Sequence, residues 1–408
     1  MGYTSSALKG ISWMGLLRGS TRAVTFIRLA ILARILTPAE FGAFGVATLV
    51  LSFLEILTET GINIFLIQQK GDIKKYLSSA WIVSIIRGCL MAILLVTSAS
   101  FISDFFNSPE SYPVILLISL VPFIRGFINP AIINIQKEIQ FQKEFYLRFT
   151  LFVIDASIAI FAALITRSAE SFAYGLIASA IIEVILSFAF FKPFPTLSFS
   201  IEKIKHIVKR GWWVTVTGIF SYSAENGDNI IVGKLLGTSS LGIYQVAYKF
   251  STLPISEITD VVNKVVFPVY SRFSEDKDRL WKAFVKVFAT SSVLAVFLGA
   301  FIFLFAEQII SVLLGSMWAE AVPVVKVLAF YGILRTIFGN FAPLFLSLGK
   351  QDFVAKMTFF RVLALLVTIG PLINLYGLVG AGFSALISIL VEIPIAIFLF
   401  YKVYTVRK

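Results

Sequence analysis

Four segments of this chain set ionisable and hydroxyl side chains at helical spacing within apolar surroundings. In the first, Arg18, Thr21, Arg22, Thr25 and Arg28 fall within an arc of about 120° when successive residues advance by 100°. In the second, Thr48, Ser52, Glu55 and Glu59 follow i, i+4, i+7, i+11 spacing and share one narrow face. The third carries Thr217, Ser221, Glu225 and Asp228. The fourth carries Gln245, Lys249, Thr252, Ser256, Thr259 and Asn263. A guanidinium stripe suits an anionic ligand. Paired carboxylates suit a cation or a proton, or they balance nearby positive charge. This is the chemistry of binding and charge movement, not of bond cleavage. One histidine (His206) and one cysteine (Cys89) leave no histidine metal cluster and no intramolecular disulfide. There is no phosphate-binding Walker A loop and no catalytic constellation. The expectation is a non-enzyme without a resident cofactor.

The elements that position these residues follow from composition. Apolar residues make up 58% of 408, charged residues only 14%, and mean hydropathy is +0.90. A soluble chain carries about 25% charged residues. The apolar runs are continuous and do not alternate, which argues for membrane-spanning helices and against a β-barrel. The net charge of +12 then reads as basic cytoplasmic loops and not as a nucleic-acid surface. A spanning helix needs about 20 mostly apolar residues. Twelve such windows are predicted, at 11–34, 41–67, 78–101, 112–135, 146–166, 171–191, 211–235, 241–268, 284–306, 321–347, 353–372 and 376–402. Short turns join most of them, such as TPAE (37–40) and GTSS (237–240). Residues 192–210 form the one long polar connection, whose second half reads as a basic amphipathic helix lying on the membrane surface. The expected organisation is a six-helix lobe (1–191), this cytoplasmic linker (192–210) and a second six-helix lobe (211–408). Lys and Arg crowd alternate loops, including Lys74, Lys75, Lys137, Arg279 and Lys350, whereas Glu110, Glu307 and Glu320 lie in the opposite set. Both termini are therefore expected in the cytoplasm.

The two lobes repeat. At a shift of 200, Trp13 meets Trp213, Leu36 meets Leu236 and Val46-Ala47 meets Val246-Ala247. At 213, Lys137, Lys143 and Arg148 meet Lys350, Lys356 and Arg361. At 205, Gly175 meets Gly380. An even number of spans per repeat gives both lobes one orientation, an arrangement found in secondary transporters that work by alternating access. In the repeat Arg28 corresponds to Asp228 and Thr25 to Glu225, so one face is basic in the first half and acidic in the second. The expectation is a water-filled cavity lined by the first, second, seventh and eighth spans.

Intramembrane charges are expensive and default to functional candidates. Two readings stand for the first stripe: cavity lining, or ion pairing of Arg18 or Arg22 with Glu59 or Glu55. Arg87, Arg125, Asp155, Glu183, Arg335 and Glu392 also lie near mid-span, and for these the structural reading is favoured. Arg87 or Arg125 would pair with Asp155 or Glu183 inside the first half. Pro122, Pro130, Pro254 and Pro394 are candidate kinks.

The stretches 34–70 (RILTPAEFGAFGVATLVLSFLEILTETGINIFLIQQK) and 233–273 (GKLLGTSSLGIYQVAYKFSTLPISEITDVVNKVVFPVYSRF) resemble matching regions of bacterial Wzx-type polysaccharide flippases. These belong to the multidrug/oligosaccharidyl-lipid/polysaccharide exporter superfamily. The resemblance implies an all-α MATE-like exporter fold in the bacterial inner membrane. It implies translocation of undecaprenyl-pyrophosphate-linked oligosaccharide units for O-antigen, capsule or exopolysaccharide synthesis, with membrane lipids and the polysaccharide polymerase machinery as partners and no nucleic acid. Arg18, Arg22 and Arg28 would receive the pyrophosphate, because arginine's planar donor fork matches phosphate oxygens. Thr21, Thr25, Glu55, Glu59 and Lys249 would line the same cavity. Asp228, Asn229 and Glu225 would couple transport to Na+ or H+. The alternative is a cation-coupled multidrug antiporter of the same fold, which an arginine-striped cavity disfavours because its substrates are usually cationic.

Overall fold

A computed structural model describes residues 3–59, 62, 66, 74–138, 140–196, 201–273 and 275–405. For 3–12, 14, 74–75, 201–217, 258–265, 277 and 404–405 it describes the backbone alone. The side chains of His206, Thr217, Thr259 and Asn263 therefore lie outside the described residues, as does the polar face expected along 201–210.

The described residues are helical, with no strand among them. The order is α1 (Tyr3–Ile35), α2 (Pro38–Leu57), α3 (Lys74–Phe105), α4 (Ser111–Ile118), α5 (Leu120–Arg125), a 3-10 turn (Pro130–Ile133) and α6 (Asn134–Lys137). Then come α7 (Phe141–Thr166), α8 (Glu170–Phe190), α9 (Ile201–Arg272), α10 (Lys277–Leu304), α11 (Ala306–Leu313), a 3-10 turn (Ser316–Trp318), α12 (Ala321–Gly339), α13 (Phe341–Ser347) and α14 (Gln351–Thr405). Among the described residues, eight helices are long and apolar enough to cross a membrane, or nine if one bent pair counts as a span. The chain is thus an all-α, multi-pass membrane protein.

Local chemistry explains where these elements start and break. The TPAE turn is a capping box: the Glu40 amide donates to the Thr37 hydroxyl, and the Thr37 amide donates to the Glu40 carboxylate at 2.6 Å. Pro38 opens α2, where its missing N–H costs nothing. The expected span at 112–135 is bent by 77° between Arg125 and Pro130. Pro130 cannot donate, and Asn129 caps the new turn by accepting the Ala131 amide at 3.0 Å. The helix runs on through Pro254 and Pro394.

Two expected turns are single-residue breaks. α9 is 72 residues long, with Gly237 alone off helical geometry at φ 80°, ψ 179°. α14 is 55 residues long and breaks the same way at Gly377. A straight helix the length of α9 would exceed roughly three hydrocarbon thicknesses, so each long run supplies two of the expected windows. The linker helix expected at 201–210 is not a separate element. It continues without interruption into the following span, because nothing between Ile201 and Leu236 breaks the hydrogen-bond ladder.

The chain divides into two compact units, Met1–Ser223 and Ala224–Lys408, and the division falls inside α9 rather than in the polar connection. In the first, α7 packs along α8 and α1, and α3 packs on α5. Gly175 permits the α7–α8 contact: a Cβ there would lie 2.5 Å from the Asp155 carbonyl and 2.6 Å from its carboxylate. In the second, α12 packs against α10 and α14. An aromatic core of Phe284, Phe341, Phe345 and Phe353 closes one end. Large apolar side chains such as Phe101, Phe190 and Phe220 stay exposed, as helix faces do where lipid replaces water.

Candidate substrate and ion sites

The stripe on α1 does not behave as a single set. Arg22 is exposed, and Arg18 is half-buried. The Thr21 and Thr25 hydroxyls donate to carbonyls one turn back, those of Leu17 at 2.7 Å and Thr21 at 2.8 Å, and so keep only acceptor capacity. Arg28 is held by Asp155 of α7 through Nη1, and its guanidinium lies 5.5 Å from the centre of the Phe172 ring. Arg28 is therefore a packing charge between α1, α7 and α8. The sequence places it beside Arg18 and Arg22 as a ligand for phosphate, and in the structure its guanidinium is engaged by Asp155. The expected partners for Asp155 were Arg87 or Arg125. Sequence depth alone did not reveal that α1 lies against α7.

The acids of α2 lie beside other arginines. Arg87 of α3 donates to the Thr58 hydroxyl at 3.1 Å and to the Glu55 carbonyl at 2.6 Å, and its guanidinium is 3.5 Å from the Glu59 carboxylate. Arg125 pairs with Glu183 at 3.2 Å, one of the pairings expected from the sequence. Arg148 pairs with Glu144 one turn away at 2.9 Å. These groups surround a cavity of about 360 Å³ within the first unit, lined by Glu55, Arg87, Arg125, Glu144, Arg148 and Glu183 among apolar residues. Of the residues expected to line a basic cavity, Glu55 alone lines this one.

In the second unit Asp228 is buried, and both its carboxylate oxygens accept hydrogen bonds. The Asn229 amide and side chain donate to Oδ1 at 2.8 and 3.0 Å, and the Tyr244 hydroxyl donates to Oδ2 at 2.9 Å. Glu225 and Lys249 are exposed. Tyr248 and Tyr331 accept from Arg335 Nη1 at 2.6 and 3.2 Å. Arg361 pairs with Glu392 at 3.3 Å. A second cavity, of about 280 Å³, is lined by Thr252, Ser256, Arg335, Arg361 and Glu392 with apolar neighbours. The pairing of Arg361 with Glu392 was not foreseen. The signal for it was the match of Arg361 to Arg148 in the repeat, both of which line cavities.

The lipid II flippase MurJ superposes with a TM-score of 0.77 at 16% identity, over 96% of this chain and 87% of that one. A multidrug resistance MATE family transporter of the MOP superfamily superposes at 0.75 with 15% identity, over 95% of each. At these identities the likeness establishes the exporter fold. The lipopolysaccharide biosynthesis protein WzxC of Escherichia coli (strain K12) is 20% identical over 406 residues, covering 98% of this chain and 82% of the relative. The model of one family, described as polysaccharide biosynthesis protein, matches residues 31–323. With more than half of its length matched and the fold of an exporter, this chain belongs to that polysaccharide biosynthesis protein family.

Proposed function

We propose that this protein is a flippase. It moves undecaprenyl-pyrophosphate-linked oligosaccharide repeat units from the cytoplasmic to the outer leaflet of the bacterial inner membrane by alternating access of two repeated lobes (1–191 and 211–408, joined by 192–210). The observation that carries the reading is family membership on an exporter fold. The basic character of α1 supports it. Arg18 and Arg22 receive the pyrophosphate or acidic sugars, Thr21 and Thr25 accept hydrogen bonds beside them, and Glu59 and Lys249 contribute further polar surface. Asp228, Asn229 and Glu225 serve coupling to Na+ or H+.

The fold alone is equally that of a drug antiporter. Cationic substrates would be repelled by a guanidinium stripe, which favours the anionic, lipid-linked cargo. The test is the leaflet distribution of lipid-linked repeat units in cells lacking the protein, with wild type and Arg22→Glu returned separately. Units accumulate on the cytoplasmic face, wild type relieves the accumulation, and Arg22→Glu does not. Normal function from a stably expressed Arg22→Glu would remove the α1 stripe from the mechanism. A distribution indifferent to the protein would remove the flippase reading and make drug efflux the next assay.

A further inference from the structure

The two internal cavities are repeats of each other, and their charge does not match. Arg335 lines the second cavity as Arg125 lines the first, 210 residues earlier. Arg361 corresponds in the same way to Arg148, 213 residues earlier. The first cavity presents three arginines (Arg87, Arg125, Arg148) and three glutamates (Glu55, Glu144, Glu183). The second presents two arginines (Arg335, Arg361) and one glutamate (Glu392). One of the two missing acids can be located. At the shift of 213, Met357 stands where Glu144 stands, lines the cavity and is 2% exposed.

Glu392 is taken by Arg361. Arg335 has two neutral phenols for partners, and among the described residues no carboxylate lies within ion-pairing distance of it. Asp228, the nearest buried acid on α9, spends its oxygens on Tyr244 and Asn229 and does not line the cavity. Glu225, Asp228 and Glu392 act on Arg335 only from beyond contact, and a guanidinium with no acid paired to it directly is costly away from bulk water. The Thr358 hydroxyl offers a further donor at the same space, while those of Thr252 and Ser256 are spent on the Tyr248 and Leu253 carbonyls at 2.6 and 3.2 Å. A volume of about 280 Å³ has room for one small ion with several waters at ~30 Å³ each.

We propose that the cavity inside the second unit is a binding site for a single small monovalent inorganic anion, such as chloride, seated between Arg335 and Arg361. The site is independent of the basic stripe on α1, and it takes a free ion, not the lipid-linked cargo.

The test is binding of radiolabelled chloride to the purified full-length protein in nanodiscs. Wild type binds saturably with about one ion per chain. Bromide competes, and gluconate at equal ionic strength does not. Arg335→Gln weakens binding at least about tenfold, the order expected for loss of a charge-assisted hydrogen bond. Met357→Glu, which supplies internally the acid present in the first cavity, abolishes binding, whereas Met357→Gln retains it. Arg22→Gln also retains it. If Arg335→Gln does not fold, the two Met357 variants decide. The proposal is overturned if wild type shows no saturable binding, if Met357→Glu binds as wild type does, or if gluconate displaces chloride as well as bromide does. Loss of binding in Arg22→Gln with retention in Met357→Glu also overturns it, by placing the ion on α1.

Discussion

At the scale of single residues, two arginines of one helix differ in setting: Arg28 is paired with Asp155, and Arg22 is exposed. Arg28 and Asp155 are mutually committed and largely shielded, at 18% and 9% side-chain exposure. Removing one partner leaves the other charge stranded, a loss of about 3–5 kcal/mol for a well-buried pair and less for one partly wetted. Arg28→Met or Asp155→Leu alone should lower the thermal unfolding midpoint of the detergent-purified protein. The double substitution should recover most of that loss. Arg22→Gln, at the exposed arginine proposed to meet the substrate, should impair transport. If the double variant is as unstable as the sum of the singles, the pair has no coupling of its own. The sequence made intramembrane arginines conspicuous, and Arg125 with Glu183 is one of the four pairings it left open between Arg87 or Arg125 and Asp155 or Glu183. It could not assign Asp155, because helical phase and depth say which face a charge occupies, not which helix lies opposite. Mid-span charge was the right signal for a polar interior, but it did not show that Arg28 is engaged by Asp155.

At the scale of elements, two glycines are required for different reasons and should fail differently. Gly237 sits at φ 80°, ψ 179°, a region essentially closed to other residues, and a Cβ there would meet nothing within 4 Å. Its cost is backbone strain alone, roughly 1–3 kcal/mol. Gly237→Ala and Gly237→Val should therefore be similarly destabilising in a thermal unfolding assay. Gly175 is helical, and its cost is steric, since the added carbon would strike the Asp155 carbonyl. Gly175→Val should be markedly worse than Gly175→Ala, and either should disturb the Arg28–Asp155 pair. Equal effects of the two Gly175 variants would count against a packing role. The turn at GTSS was readable because glycine and serine interrupt an apolar run. The continuity of 201–210 with the next span was not, because a charged helix and an apolar one carry the same backbone. Pro130 broke its span and Pro254 did not, and the break at Pro130 carries a capping side chain, that of Asn129.

At the scale of the whole molecule, orientation is the property with the most direct test. The chain has one cysteine, Cys89, so a Cys89→Ser background is clean for site-specific labelling. Glu110, Arg279, Glu320 and Lys350 are all exposed. Cysteines placed at 110 and 320 should react with an impermeant maleimide added outside spheroplasts. Those at 279 and 350 should react only after permeabilisation. The reverse pattern would invert the topology read from the basic loops. Duplication was visible in the order of matched residues, and it led to the repeated cavities. Their charge difference was not visible, because Met357 is unremarkable until its counterpart Glu144 is seen paired inside the first cavity.

The bend before Pro130 has a consequence for solvent. Helices hide their amides from lipid, and non-helical backbone at membrane depth persists only against protein or water. Here the interrupted segment is tied by its flanks: the Trp81 indole donates to the Phe127 carbonyl at 3.1 Å, and the Asn129 amide donates to the Ser187 hydroxyl at 3.0 Å. Gly126, Ile128 and Pro130 of the same segment line the charged cavity of the first unit. Water that hydrates those arginines and glutamates therefore reaches main chain in the middle of an apolar window. In deuterium exchange, the amides of 126–128, held only by single-turn bonds to Pro122, Ile124 and Arg125, should label before those of α3 and α8, whereas that of Asn129, held by Ser187, should stay protected, a short fast-exchanging spot within a stretch whose hydropathy alone would mark it as fully protected.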